Sequence, residues 1–148
     1  MKVGVDTNIL FYAEGLDDAV RMNAARKLLA RLPKSRLVIP VQVFGELFSL
    51  LVRKGRFPPA EARRRVGDLQ RGCEAWPTTL PVFQAALDLA AAHALQLWDA
   101  VILAAVSEAG CDLLISEDYQ HGLTLRGVMI VDPFRSPPHP RLGAMLAL

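Results

Sequence analysis

The hydrophobic pattern of this chain alternates between short continuous runs and longer periodic segments. The short runs, bounded by polar residues or proline, predict buried strands. The longer segments repeat apolar residues every three or four positions, as helices do. Strands are predicted at residues 2–6, 36–40, 74–80, 111–118 and 127–134. Helices are predicted to start at about Thr7 and to cover residues 17–32, 41–55, 58–73, 81–95 and 97–110.

This alternation of strands and helices predicts an α/β fold with a mostly parallel central sheet flanked by helices. The helix at 97–110 is apolar on nearly every side and is expected to be buried. Gly55 is expected to close the helix at 41–55 as its C-cap. No internal repeat divides the chain, so residues 1–148 are interpreted as a single domain. Residues 135–148 form a proline-broken tail that the pattern does not assign.

Composition narrows the class of protein. With 148 residues, 52% of them hydrophobic and 22% charged, the chain is typical of a globular protein rather than a disordered one. No apolar run reaches the roughly 18 residues of a membrane span, and a start with one lysine before Asp6 is unlike a secretory signal. Cys73 and Cys111 lie in no CxxC spacing. Neither a disulfide framework nor a zinc knuckle is expected, and a cytoplasmic location is predicted.

Positive charge is concentrated in one segment, although the net charge is only +2. Seven of the seventeen basic residues lie between positions 53 and 71, against two acids, Glu61 and Asp68. The seven are Arg53, Lys54, Arg56, Arg63, Arg64, Arg65 and Arg71. Two interpretations are open: a solvated helix face, or a patch that contacts the phosphates of a nucleic acid.

Three aspartates lie where a ligand site is expected. The carboxyl ends of parallel strands meet at the sheet edge that binds ligands. Asp6 ends the first predicted strand and Asp118 follows the fourth, so the two should lie near each other. Asp99 lies in the first turn of the buried helix, where an unpaired charge is costly. Ordinary explanations also exist, since Asp6 and Asp99 would serve as helix N-caps and Asp118 as an Asx-turn residue.

Glu46, within VQVFGELFSLL, is a fourth candidate. It shares a helix face with Gln42, Ser49 and Arg53, as an ordinary solvent-facing residue also would. Several carboxylates held close together repel one another, and a hard divalent cation relieves that repulsion. Oxygen ligands favour Mg²⁺ or Mn²⁺ over zinc. Such a site suits hydrolysis of phosphodiesters by a metal-activated water, with no covalent enzyme intermediate.

Four motifs occur in order along the chain: VDTNIL at 5–10, VFGEL at 43–47, LWDAVILAAV at 97–106, and LLISEDYQHG at 113–122 followed by VMIVDPF at 128–134. In this order and spacing the sequence resembles the PIN-domain ribonucleases, especially the VapC-type toxins of bacterial toxin–antitoxin pairs. The resemblance covers nearly the whole chain. It implies a three-layer PIN-like fold, metal-dependent endoribonuclease activity on RNA, a protein antitoxin as partner and a homodimer.

The resemblance also implies roles for individual residues. The implied catalytic acids are Asp6, Glu46, Asp99 and Asp118. The implied metal ligands, for Mg²⁺ or Mn²⁺, are Asp6, Asp99 and Asp118, with Glu46 as a ligand or a base that orients water. The residues implied to support the metal and its waters are Thr7, Asn8 and Ser116. The serine-x-aspartate pattern favours Asp118 over its neighbour Glu117. Independently of the resemblance, the basic segment supplies the candidates for contacting RNA, which are Arg53, Lys54, Arg63, Arg64 and Arg65.

Two other functions remain open. A phosphatase of the haloacid-dehalogenase type would use Asp6 as a covalent nucleophile at a strand end. That family has an Asp-x-Asp pattern, whereas this chain has Asn8 at the third position, and Glu46 and Asp99 would then have no role. The other alternative is a PIN-like domain kept only for binding, which would have no reason to retain the full set of acids. The chain has no Walker loop, GxGxxG or GxSxG motif.

Aromatic residues are interpreted as structural or as partner contacts. Trp76 and Trp98 are predicted to lie in the core or an interface rather than to stack on bases. Phe11, Phe44 and Phe48 are predicted to form an exposed apolar surface that holds the tail of the antitoxin.

Overall fold

The structure is a computed structural model that describes residues 1–147. Within that range the chain forms six strands and seven α-helices. The strands are β1 (Val3–Val5), β2 (Leu37–Pro40), β3 (Glu74–Trp76), β4 (Leu113–Ile115), β5 (Thr124–Leu125) and β6 (Val128–Val131). The helices are α1 (Thr7–Ala13), α2 (Ala19–Arg31), α3 (Val41–Arg53), α4 (Pro59–Gln70), α5 (Leu80–His93), α6 (Leu97–Glu108) and α7 (Pro140–Leu146). The predicted α/β class is confirmed.

The strand order of the sheet reverses between β1 and β4. Its strand order is β3-β2-β1-β4-β6-β5, and every neighbouring pair is parallel except β5 with β6. The chain first winds outwards from β1 through β2 and β3, and then continues on the other side of β1 with β4. The crevice beyond the carboxyl ends of such strands is the usual ligand site of an open α/β sheet. The fold therefore directs attention to the residues that follow β1 and β4.

Helices cover both faces of the sheet, which gives the predicted three-layer arrangement. Successive strand residues point to opposite faces, yet every residue of β1, β2 and β4 is buried. Helix α6 is buried continuously over residues 100–106, which confirms the expectation from its apolar sequence. Gly4 makes this packing possible, because a Cβ there would lie 2.4 Å from Cγ1 of Val106. Within residues 1–147, no helix has the length and hydrophobicity to span a membrane.

Two elements lie in segments that the sequence pattern did not assign. Strand β5 pairs with β6 as an antiparallel hairpin, and its turn residues Arg126 and Gly127 both have positive φ, as a tight hairpin turn requires. In the tail, α7 packs Leu142 and Met145 into the core. Its first turn is capped by the His139 ring, whose Nδ1 accepts a hydrogen bond from the Arg141 N–H at 3.2 Å. Leu148, the end of that tail, lies outside the described residues.

Several predicted elements were longer than the observed ones. The strand predicted at 74–80 stops at Trp76, just before Pro77, which has no N–H for the ladder. Helix α3 ends at Arg53, and the left-handed backbone expected at Gly55 occurs at Arg56 instead, with φ 55°. Gly55 has a different role, because a Cβ there would lie 2.7 Å from the Leu51 carbonyl oxygen.

Candidate active site

A cleft of about 620 Å³ lies beside the carboxyl ends of β1 and β4. It is lined by the turn from β1 into α1, one face of α3, the start of α6 and the loop after β4. The lining residues are Asp6, Thr7, Asn8, Gln42, Gly45, Glu46, Ser49, Leu50, Arg53, Trp98, Asp99 and Asp118. The four predicted acids, which are far apart in the sequence, therefore line one cleft.

Asp6 is the most buried of these acids, with 3% of its surface exposed. Its Oδ1 accepts the Thr7 N–H at 2.7 Å, which caps α1, and its Oδ2 accepts the Ser116 hydroxyl at 2.7 Å. The pKa of the Asp6 carboxyl is raised to about 7, chiefly by burial and to a smaller extent by the charges of Asp118 and Asp99, while the hydrogen bonds from Ser116 and Thr7 oppose the increase. Asp6 does cap a helix, but a cap alone does not explain a carboxylate held next to two others.

Ser116 connects Asp6 to the loop that carries Asp118. The fully buried Ser116 hydroxyl donates to Asp6 and accepts the Asp118 N–H at 3.1 Å. The Asn8 side-chain amide donates to Asp118 Oδ2 at 3.0 Å, which ties the loop after β4 to the first turn of α1. The predicted supporting residues Asn8 and Ser116 thus hold two acids in fixed relation.

Glu117 points away from the cleft. Its carboxylate forms an ion pair with Arg21 at 2.8 Å and accepts a hydrogen bond from the Tyr12 hydroxyl. Glu117 is thus engaged outside the cleft, and Asp118 is the acid of this neighbouring pair that lines it.

Glu46 lies on α3 and is oriented by two donors. The Thr7 hydroxyl donates to its Oε2 at 2.5 Å, and the Gln42 amide donates to its Oε1 at 2.8 Å. Gln42, Ser49 and Arg53, the residues that share its helix face, line the same cleft. This face of α3 therefore borders the site and is not an ordinary solvent-facing surface.

Asp99 lies in the first turn of α6 but does not cap it. Gln96 is the N-cap, and its side-chain oxygen accepts the Asp99 N–H at 3.0 Å. Burial raises the pKa of the Asp99 carboxyl, and the charges of Asp118 and Glu46 add to the increase. The Tyr119 hydroxyl donates to the Asp99 backbone carbonyl at 2.6 Å. Tyr119 was not identified from the sequence, where a single tyrosine after a strand carries no distinguishing pattern.

The donor set of the cleft fits a hard divalent cation. Its acids and amides offer oxygen atoms, the ligands that Mg²⁺ and Mn²⁺ prefer, and the carboxylates raise one another's pKa. Among residues 1–147, no three acidic, histidine or cysteine side chains form a ready-made metal cage. Mg²⁺ does not require one, because it commonly binds one or two carboxylates and completes its shell with water and substrate phosphate.

Much of the basic segment is engaged in ion pairs on α4. Arg64 contacts Glu61 at 2.6 Å and Asp68 at 3.0 Å. Arg65 contacts Glu14, in the turn after α1, at 2.5 Å. These contacts favour the solvated-face interpretation for Arg64, whereas Arg65 is partly buried and joins α4 to the turn after α1.

Other members of the basic segment remain available to a ligand. Arg53 lines the acidic cleft, and Lys54 is exposed beside it. Arg63 is exposed and lines a second, smaller groove of about 370 Å³ between α3 and α4. Arg53 is therefore the basic residue best placed to act together with the carboxylates.

The aromatic predictions require corrections. Phe11 and Phe44 are both buried in the core, each with 4% of its surface exposed, so neither forms an exposed apolar surface. Phe48 is partly buried, and it lines the groove between α3 and α4 together with the buried Phe44. Trp76 is partly buried on β3, whereas Trp98 is 48% exposed and lines the cleft. For Trp98 the core alternative of that prediction is wrong, and the interface alternative stays a prediction.

Comparisons with known structures agree with this fold. VapC20 of Mycobacterium tuberculosis, described as a toxin that cleaves the sarcin–ricin loop, has a TM-score of 0.67 at 20% identity, covering 79% of this chain and 92% of that one. A toxin–antitoxin complex from Klebsiella pneumoniae has 0.69 at 19%, covering 90% and 98%. VapBC2 of Rickettsia felis, bound to a DNA fragment from its promoter, has 0.62 at 12%, covering 88% and 97%.

Sequence comparison identifies the family. Among curated proteins, none matches this chain significantly. The PIN domain matches residues 3–122, which include all four acids of the cleft and well over half of the chain. On this match, and with a fold shared with the three structures above, the chain belongs to the PIN-domain family.

Proposed function

We propose that this protein is a metal-dependent endoribonuclease and the toxin of a toxin–antitoxin pair. The observation that carries the proposal is the convergence of Asp6, Glu46, Asp99 and Asp118 on one cleft at the point where the strand order reverses. Four acids in one cleft are costly without a cation. The similar fold of VapC20, a toxin that cleaves the sarcin–ricin loop, supports the choice of RNA as substrate.

Asp6, Asp99 and Asp118 would hold the metal, which would be Mg²⁺ or Mn²⁺. When bound, the cation would lower the pKa of a coordinated water and offset negative charge on the scissile phosphate. Ser116 and Asn8 keep Asp6 and Asp118 in place through the hydrogen bonds described above. Their contribution is to fix the ligands before substrate arrives.

Glu46 is suited to orient the attacking water. Both of its oxygens already accept a hydrogen bond, from Thr7 and from Gln42, so the carboxylate is held in one orientation. Each oxygen keeps a further lone pair that can accept a hydrogen bond from a water in the cleft. Attack by water in line with the leaving oxygen leaves a 5′-phosphate and a 3′-hydroxyl end.

The direct test is cleavage of structured RNA by purified protein. Cleavage should require Mg²⁺ or Mn²⁺, stop with EDTA and leave 5′-phosphate ends. Cleavage that continues in EDTA would contradict the proposal.

The two alternatives fit the site less well. A phosphatase of the haloacid-dehalogenase type would use Asp6 as its nucleophile and would leave Glu46 and Asp99, which line the same cleft, without a role. Such an enzyme would form an acyl-phosphate on Asp6 that can be trapped. A domain kept only for binding gives no reason for Glu46 and Asp99 to share the cleft.

RNA binding should depend on Arg53. If Arg53 contacts a phosphate, Arg53→Gln should weaken RNA binding and reduce the slope of log affinity against log salt by about 0.7. Arg64→Gln is the matched control, because Arg64 is held by Glu61 and Asp68, and its slope should stay unchanged. Fluorescence anisotropy across a salt series measures both. Equal slopes for Arg53→Gln and the parent protein would remove Arg53 from the interface.

We further propose a protein antitoxin as partner, a homodimeric assembly and a cytoplasmic location. The acidic cleft is well matched by an arginine, whose guanidinium pairs with two carboxylate oxygens at once. Phe44 and Phe48 line the adjoining groove on α3 and α4, which would hold apolar residues of the same tail.

The partner prediction is tested by co-expression with the neighbouring gene. The two products should purify together, and the complex should be inactive until the antitoxin is removed. Replacing the arginine in the antitoxin tail should restore activity in the complex. A complex that keeps full nuclease activity would contradict an arginine in the cleft.

A further inference from the structure

Trp98 is an unusual residue at the edge of the proposed active site. Within residues 1–147 it is the one aromatic side chain among the large apolar residues that are well exposed, at 48%. It lines the cleft and immediately precedes Asp99 in the first turn of α6. An exposed tryptophan in a concave polar site is typical of ligand contact, since such rings dominate recognition surfaces.

The indole is supported by the structure around it. Gln96 caps the helix turn that carries Trp98. The Phe83 ring of α5 lies 6.3 Å from the indole, centre to centre, at an angle of 39°. A ring supported by a neighbour loses little conformational entropy when a ligand stacks on it. Trp98 is therefore a preformed platform at the mouth of the cleft.

The groups around Trp98 favour a nucleotide as its ligand. The carboxylates lie on one side, at Asp99 and beyond, and Arg53 lines the same cleft. A chain whose phosphates lie at the metal site and at Arg53 would carry its bases into the same cleft, where Trp98 is the aromatic residue among the lining side chains. The antitoxin tail proposed above would place its apolar residues in the adjoining groove, which Phe48 lines and which meets the cleft at Gly45, so those residues do not need the indole.

We propose that Trp98 stacks on an unpaired base of the RNA substrate next to the scissile phosphate. The inference rests on the proposed function and adds a substrate class, RNA with an unpaired nucleotide at the cleavage site, because a base must leave its duplex stack to reach an aromatic ring. Stacking is tolerant of base identity. Trp98 thus positions the nucleotide and does not select its sequence.

The test uses the fluorescence of Trp98 itself. Trp76→Phe removes the other tryptophan, whose indole N–H is buried without a hydrogen-bond partner among the described residues, so this change should be well tolerated. In that background, a short single-stranded RNA should quench the remaining emission. An abasic oligonucleotide of the same length should bind without quenching. Ca²⁺ replaces Mg²⁺ in this measurement to offset the repulsion among the carboxylates of the cleft. The emission is recorded immediately after mixing, so that it reports binding separately from cleavage.

Variants of Trp98 provide an independent measurement. Trp98→Leu keeps an apolar side chain but removes the ring, and should weaken RNA binding by about fivefold to a hundredfold, the range expected for one lost stack. Trp98→Phe keeps a ring and should retain most of the affinity. For the abasic oligonucleotide all three proteins should bind alike.

The outcomes separate this inference from the proposed function. Cleavage of RNA without quenching, or equal RNA affinity in Trp98→Leu and the parent, would overturn the stacking role while leaving the nuclease in place. In that case quenching by an antitoxin tail peptide would assign the indole to the protein partner. Quenching by RNA without cleavage under any metal would uphold the stacking role and overturn the nuclease.

Discussion

Replacing Asp99 with asparagine should lower metal-dependent RNA cleavage by at least about a hundredfold, because a lost metal ligand removes several kcal/mol of charge stabilisation from the transition state. The fold should survive. Asparagine keeps the shape of the side chain, and α6 is capped by Gln96 and not by Asp99. The rate should be measured in single-turnover assays with Mg²⁺ and with Mn²⁺.

Asp88→Asn is the matched control for this variant. Asp88 lies on α5, is exposed and does not line the cleft, so the same loss of charge should leave cleavage unchanged. If Asp99→Asn and Asp88→Asn both cut RNA at the parent rate, Asp99 has no part in the site.

The second large effect is expected in the free energy of unfolding of the metal-free Asp6→Asn variant, which should depend on pH differently from that of the parent protein. The Asp6 pKa is raised by burial from 3.8 to about 7. The folded protein therefore holds this proton more tightly than the unfolded chain, and the parent loses stability as pH rises from about 4 to about 7. Above pH 7 the ionised, buried Asp6 costs at most about 4 kcal/mol. Asp6→Asn lacks this loss and should be the more stable protein at pH 8, with the difference disappearing near pH 4.

The hydrogen bonds of Asp6 should largely survive this change. Asparagine caps helices about as well as aspartate, so the Thr7 N–H keeps an acceptor. The Ser116 hydroxyl, which donates to Asp6, can accept from the new amide instead. Asp18→Asn is the control, because Asp18 caps α2 at an exposed position, and its effect should be no more than about 0.5 kcal/mol at either pH. Urea unfolding at a series of pH values measures all three proteins, and identical pH profiles for Asp6→Asn and the parent would contradict a buried charge.

Parts of the fold with strong local patterns were predictable from sequence. The buried strands β1, β2 and β4 and the apolar helix α6 each carry a continuous hydrophobic signal that leaves few alternatives. The two-residue strand β5 was missed, because a strand of that length has no period and depends on pairing with β6. Helix α7 was missed because prolines obscure its start.

The site was predictable where chemistry depends on strand ends. Asp6 and Asp118 follow adjacent parallel strands, and Asp99 begins a buried helix, so their convergence follows from the alternation of elements. Glu46 is different, since its helix face has the pattern of a solvated surface and only the resemblance to known nucleases indicated its role. Contacts between distant segments, such as Arg65 with Glu14 and Glu117 with Arg21, could not be predicted from the local sequence around either partner.

Thermal unfolding across a metal titration tests most directly whether these acids form a metal site. The parent protein should gain stability with Mg²⁺ or Mn²⁺ at fixed ionic strength, by about 2.7 kcal/mol at a hundredfold excess over the dissociation constant. Asp6→Asn should lose most of that gain, while Asp18→Asn should retain it. Parallel titration curves for the parent and Asp6→Asn would mean that Asp6 only caps α1 and does not bind metal in the cleft beside β1 and β4.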